Sequence, residues 1–241
     1  MLPWFARVAC LAFVLMAGPA KADDLADFNA AVEAAQSHNR VAIEYLRTGN
    51  IDLASLEIDR LRAAWAKLND QFAGKRPAIF EGNKYYVAAM TDIATRLITA
   101  DMMINSGHPD VTRQALLAIR NDLYKLRKSA GITVLADCVY DANAAMDALM
   151  VYNDRELDWS KPEIGRDIAS AASTYGALLG RCDGIAGVPV RQNPEFRRLV
   201  DGAKASLTLI PKAITTRDSN LLHRVLIELR SFDNLLSFRF G

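Results

Sequence analysis

Residues 24–50, DLADFNAAVEAAQSHNRVAIEYLRTGN, decide the fold. Phe28, Val32, Ala35, Val41 and Tyr45 recur at helical spacing and predict the inward stripe of one long helix over about 24–47. Thr48-Gly49-Asn50 stops that helix, and Asn50 is placed to cap a second one over about 51–72. Gly74 and Pro77 break the chain again. Helices over about 83–105 and 109–128 follow, with Pro109 suited to a first helical position and Ala130-Gly131 ending the second of the pair.

A fifth helix spans about 133–153. After the polar stretch 154–160, Ser160 and Glu163 have capping-box spacing for a sixth helix that ends near Cys182. Residues 184–193 read as a loop. A last pair runs over 194–216 and 218–237, the first of them kinked or shortened at Pro211. No stretch alternates as a strand does. The expectation is an all-α protein of antiparallel helical hairpins. About eight helices form one or two four-helix bundles, with residues 23–131 as a first half and 132–241 as a second.

The hairpins show a repeat. A shift of 58 positions lays Gly49 on Gly107, Asp52 on Asp110, Leu61 on Ile119, Arg62 on Arg120 and Leu68 on Leu126. A further 110 lays Ile119-Arg120 on Leu229-Arg230 and Leu126 on Leu236. Duplication explains these matches, and so does the spacing common to any two amphipathic hairpins. The 34-residue tetratricopeptide period does not fit.

Composition narrows the class. The 241 residues are 51% hydrophobic and 24% charged, and 29 basic against 28 acidic groups give +1. Such a balance supplies no electrostatic draw toward nucleic acid or anionic lipid. Residues 1–22 read as a cleaved signal peptide: Arg7, an apolar run over 8–16, and Ala20-Lys21-Ala22 as the small-x-small site. The run is short of the roughly 20 residues of a spanning helix. Cys10 lies in it without a Leu-Ala-Gly before it, which argues against a lipoprotein. Cleavage removes Arg7 and Lys21 and turns the balance to −1. A periplasmic protein without membrane insertion of the mature chain is expected.

Signatures of chemistry are few. Glycine-rich phosphate and dinucleotide loops, a Gly-x-Ser-x-Gly elbow, Glu-x-x-His and His-Glu-x-x-His do not occur. The three histidines, His38, His108 and His223, have no i, i+4 partner among themselves, so no zinc site is expected. His108, before Pro109, and His223, near a helix start, read as exposed. Asp137 and Asp141 stand i, i+4; they read as a helix N-terminus that favours negative charge rather than an acid/base or cation-binding pair. Glu57, Asp59, Arg60 and Arg62 read as a solvated charged face. Arg191, Arg197 and Arg198 cluster around Pro194, solubilising or anion-binding.

One family resemblance rests on the end of the chain. Ser231, Asn234, Leu235, Phe238 and Arg239 resemble the frame of the Cys-x-x-Cys-His-x-x-Phe/Tyr-Arg haem motif that ends the last helix of cytochrome c′-type four-helix bundles. Ser231 and Asn234 stand at the cysteine positions and Leu235 at the axial histidine; Trp65, Leu68, Asn69 and Phe72 fit the frame once more. The resemblance implies a kept bundle whose covalent haem is lost. Non-covalent haem would need an axial pair drawn from the histidines and Met90, Met102 or Met103, which otherwise read as core filling. The expected function is therefore a non-enzymatic secreted helical bundle that binds a protein partner or small ligand. A cytochrome c′-like electron-transfer or gas-binding protein with non-covalent haem is the alternative. No catalytic residue, cofactor or metal ligand is assigned.

Signal cleavage leaves Cys138 and Cys182. Ser160 lies midway between them, inside the expected turn, so an antiparallel hairpin sets them side by side. A disulfide follows in an oxidising compartment. The alternatives are two buried thiols, or a redox pair without Cys-x-x-Cys spacing. Closing 44 positions is worth about 4 kcal/mol on the chain-entropy model. Thiol titration of denatured, unreduced mature protein is expected to find no free thiol, and two per chain would refute the bond.

Overall fold

The computed structural model describes residues 20–72, 74–153 and 156–241. Residues 1–19, with most of the expected signal peptide and Cys10, lie outside the described residues. Among the described residues there are ten α-helices and no strand. They are α1 (Ala20–Arg47), α2 (Ile51–Phe72), α3 (Lys84–Asn105), α4 (Pro109–Ser129), α5 (Leu135–Met150), α6 (Pro162–Ile185), α7 (Val188–Arg191), α8 (Pro194–Leu207), α9 (Ile210–Thr216) and α10 (Ser219–Phe240). A 3₁₀ turn, Ala78–Phe80, precedes α3. No helix among them is long and apolar enough to cross a membrane.

Local chemistry sets the ends. Gly49 and Gly107 take left-handed φ of 78° and 77°, which a Cβ disfavours. Each lets two amides return to the preceding helix: Gly49 and Asn50 to Leu46 and Tyr45, Gly107 and His108 to Ile104 and Met103. Arg217 takes the same φ region to end α9, without glycine's freedom. Pro211 divides the expected seventh helix into α8 and α9, because its ring crowds the carbonyl of Leu207, where α8 stops.

Three expectations need correction. The stripe of α1 runs Phe28, Val32, Ala35, Ala42 and Leu46, all buried, while Val41 and Tyr45 are half-buried. The turn between Ala35 and Ala42 is occupied by buried Asn39, whose polar side chain masks the phase. The Ser160–Glu163 capping box does not form: Lys161 is the N-cap and the Ser160 hydroxyl donates to Asp158 at 2.6 Å. The expected loop 184–193 is shorter, since α6 continues to Ile185 and α7 fills four residues. Arg191 binds the α6 carbonyls Gly184 and Ala186 at 3.1 and 2.8 Å and ties that end down.

Helices α1 to α4 form an antiparallel ring, each packed on the next and α4 back on α1. Helices α5, α6, α8–α9 and α10 form a second ring. The buried apolar side chains fall into two clusters to match, one from Phe28 to Leu126 and one from Cys138 to Leu236. An aromatic group closes one end of the first, with Phe28 5.3 Å from Phe72 and 5.5 Å from Phe80 between ring centres. In the second, Cys138 of α5 and Cys182 of α6 form the expected disulfide, Cα atoms 5.4 Å apart and both side chains buried.

The seam between the rings is polar. Arg127, in the last turn of α4, sets Nε and Nη2 against both carboxylate oxygens of Asp137 in the first turn of α5, at 2.6 to 3.0 Å. Asp137 also accepts the Val134 amide at 3.2 Å. It does favour a helix N-terminus, as expected, but as a buried group rather than a surface one. Tyr124 of α4 stacks on Tyr140 of α5 at 4.7 Å, and Arg40 of α1 donates to the Gly241 carbonyl at 2.8 Å. Substituting one partner of the buried pair, Arg127→Met or Asp137→Leu, is expected to lower stability by about 3–5 kcal/mol. The double substitution should regain most of it. Urea unfolding checks this, and single variants within about 1 kcal/mol of the parent would refute the role.

Candidate functional site

A cavity of about 380 Å³ opens in this seam between α1, α4, the start of α5 and the end of α10. Val32, Leu123, Leu135 and Phe240 give it apolar walls, and Asn29, Gln36 and Arg120 place polar groups on it. Its geometry begins with Asn39 of α1, whose Nδ2 donates to the Leu116 carbonyl of α4 at 3.2 Å. One turn away on each helix stand Gln36 and Arg120, which antiparallel packing sets side by side. Asn39 Nδ2 also donates to Gln36 Oε1 at 3.2 Å, which fixes the Gln36 amide. Gln36 is 6% exposed, and its Nε2 has no partner.

Arg120 is the unusual group. Its Nη1 donates to Asn143 Oδ1 and Ser237 Oγ, each at 2.9 Å, and its Cζ lies 5.1 Å from the centre of the Tyr140 ring. Its Nε and Nη2 are buried and unpartnered, as is Asn29 Oδ1 on the same cavity. Burial pulls Arg120 down to about 10, with Asp233 as the largest opposing influence, so it stays charged at neutral pH. The other charges on the wall are paired: Arg127 with Asp137, Arg239 with Glu195 at 3.3 Å, and Glu33 with Arg40 at 2.5 Å. Among the described residues Arg120 is the cation of this wall without a direct ion pair, with Asp233 and Asp137 acting on it from further away.

Behind Arg120 a hydrogen-bonded chain enters the second core. Asn143 reaches Asp233, which is 1% exposed and also meets Arg230 at 3.3 Å and the Tyr175 hydroxyl at 3.5 Å. Burial raises Asp233 to about 6 against the bond from Asn143, and burial likewise pushes Tyr175 up. Two further cavities lie elsewhere. One of about 360 Å³ is bordered by Tyr86, Arg76 and Met90, and one of about 520 Å³ by the apolar sides of α6, α8 and α9.

The residues singled out in the sequence are scattered. His38 Nδ1 lies 2.7 Å from Glu57, while His108 and His223 are exposed. Glu57 is buried, not solvated: its position turns it between α1 and α2, where it meets His38 and Arg60. Asp141 accepts from Tyr124 at 2.7 Å, apart from Asp137. Arg191 caps α6, Arg197 pairs with Asp183 and Arg198 with Glu195, so the three do not converge. Ser231, Asn234 and Leu235 lie on the outer face of α10. Met102 is exposed, Met90 and Met103 half-buried. Among the described residues no group of three His, Cys, Asp or Glu is placed to hold a metal ion.

Arg120, Gln36 and Asn29 were not read as a site. One signal was present: Arg120 stands in phase with Leu116 and Leu123, a charge on the buried stripe of α4. Comparison with protein family models, with curated proteins and with solved structures finds no match to this chain.

Asp233 makes stability depend on pH. An acid whose folded pKa lies above its unfolded value binds its proton more tightly when folded. Its burial therefore costs little below about pH 4 and destabilises increasingly as pH rises through about 6. Asp233→Asn is expected to gain on the parent by up to about 3 kcal/mol between pH 4 and 7. Glu44, Asp158 and Asp183, held low by their partners, act below that window and equally in both proteins. Chemical unfolding across the range checks this, and a difference that does not change with pH would refute it.

Proposed function

We propose that this chain is a non-enzymatic binding protein that works outside the cytoplasm and holds a small ligand in the cavity between its two helical rings. The observation that carries the reading is an apolar-walled cavity between the rings whose lining residues Asn29, Gln36 and Arg120 each carry a buried polar atom without a partner. Buried polar groups are as a rule paired, and four atoms without a partner belong to residues that line this cavity, while others, such as Trp65 Nε1 and Arg197 Nε, lie away from it. Among the described residues the wall carries three arginines, Glu33 and two amides but no histidine, cysteine or serine, and Glu33 is tied to Arg40, which suits retention of a ligand rather than its conversion. The signal-peptide pattern of residues 1–22 and the Cys138–Cys182 disulfide support an extracytoplasmic, periplasmic setting.

Filling the cavity tests the reading. Ala136 lines it, and Ala136→Trp would occupy its space. A thermal-shift screen of mixed small metabolites should find a chemically related group that raises Tm of the parent by about 5 °C or more at about 100 times Kd. The same compounds should leave a folded Ala136→Trp protein unmoved. Equal shifts in both proteins, or none in either, would overturn the proposal.

A further inference from the structure

We infer that the outer face of α3 pairs with the same face of a second copy of this chain, the two α3 helices running antiparallel about a two-fold axis beside Ala94 and Thr95. Helix α3 is apolar on two faces. Tyr86, Ala89, Ile93, Leu97, Ala100 and Ile104 pack into the first core. Val87, Thr91, Ala94, Ile98 and Met102, at i, i+4, i+7, i+11 and i+15, share a second face that carries no charge. Val87 is 58% exposed, Ile98 62% and Met102 57%, so nothing within the chain covers this row. A helix apolar on more than one side belongs in an interior, and large apolar side chains lined up in one exposed row mark an interaction surface.

The stripe is its own complement. Val87 and Met102 stand equally far from the Ala94–Thr95 bond, and so do Thr91 and Ile98. A two-fold axis at that bond sets Met102 of one copy against Val87 of the other and Ile98 against Thr91. It leaves small residues at the crossing, where the helices come closest. The surface is hollow where the larger side chains of the second copy arrive. Beside Val87 and Ala94 the groove of about 360 Å³ opens toward α2, bordered by Asn69, Phe72 and Met90. Met102 is unbranched and flexible, which suits it to fill this hollow, and symmetry fills both grooves alike.

Charge selects the orientation and the occupant. Arg76 lines the groove with its guanidinium 5.6 Å from the centre of the Tyr86 ring and, among the described residues, has no carboxylate partner. At the other end of the stripe Asp59 and Asp101 share one cation, Arg62, at 3.6 and 3.0 Å, which leaves that pair of acids with a negative charge in excess. The antiparallel register lays Asp101 of one copy against Ala88 of the other, beside its Arg76, so opposite charges meet twice. A parallel pairing would lay Arg76 on Arg76. No residue of α2 or α3 lines the seam cavity, so this pairing stands or falls independently of the ligand reading.

Sedimentation equilibrium of the full mature protein, from about 1 to 500 µM, tests the pairing across the range of a modest interface. A monomer–dimer equilibrium with a micromolar Kd is expected, since a stripe about 22 Å long lies at the small end of specific interfaces. Ile98→Asp should raise Kd by about tenfold or more. Met102→Lys gives a second reading of the same face; both side chains are exposed, so neither change enters the core. Arg76→Glu should raise Kd about three- to tenfold, and Arg76→Glu with Asp101→Arg in the same chain should return it to within about threefold of the parent. A monomer at every concentration overturns the inference, whatever else the face binds, a foreign helix or an apolar small molecule included. A dimer that survives Ile98→Asp and Met102→Lys uses another face and overturns it too. A dimer lost in Ile98→Asp but not restored by the charge exchange refutes the antiparallel pairing.

Discussion

The pairing of Arg127 with Asp137 is the constraint on which the arrangement of the two rings depends. Both side chains are nearly dry, 6% and 4% exposed, so neither charge is tolerable alone. The bidentate fork and the Val134 amide meet the carboxylate on three sides, and in doing so they fix how α5 leaves α4. The next residue, Cys138, is bonded to α6. One carboxylate and its neighbour therefore join the last helix of the first ring to the first two helices of the second. An apolar contact has no direction and would not set that angle; the fork has one.

Seen along α4, Arg120 and Arg127 present the same chemistry with opposite outcomes. Both stand in phase with buried Leu116, Ile119 and Leu123, Arg127 buried and Arg120 half-buried. Arg127 is answered by a carboxylate of the chain. Arg120 receives two neutral acceptors and a ring face, and the donors on its Nε and Nη2 stay unmet. A Leu or Met at 120 would pack against Tyr140 without the desolvation cost, so foldability alone does not explain an arginine there. Departures from local rules without a compensating contact mark functional or strained positions in natural folds.

The helices and their hairpin order were legible in the sequence because apolar period, Gly49, Gly107, Pro109 and Pro211 all carry local physics. The disulfide was legible because an antiparallel hairpin converts equal distance from a turn into proximity. What misled were polar residues on buried stripes. Asn39 obscured the phase of α1, and Glu57 and Asp137 looked like ordinary surface acids. Their burial is decided by partners 10 to 77 positions away, Arg127, His38 and Leu116, and no local pattern encodes such a pairing. The same reason hid the cavity: Asn29 and Gln36 reach Arg120 only once α1 lies against α4. Of the three matched Leu/Ile-Arg positions, Arg120 and Arg230 end at the polar chain that runs through Asn143 and Asp233, while Arg62 pairs with Asp101.

Two kinds of cohesion meet in this protein. Within each ring, apolar burial closes on itself, and in the second a disulfide adds to it. Between the rings, cohesion comes largely from the Arg127 fork, the Asn143–Ser237–Arg120 bonds, the stacked tyrosines and the Arg40–Gly241 contact. The neutral ones contribute about 1 kcal/mol each, and the buried fork holds only while both of its charges are present. The cavity lies in this seam. A ligand held in the cavity would touch residues of α1, α4 and α10 at once. Ligand affinity and adhesion of the two rings then become one coupled equilibrium, in which each strengthens the other by the same amount.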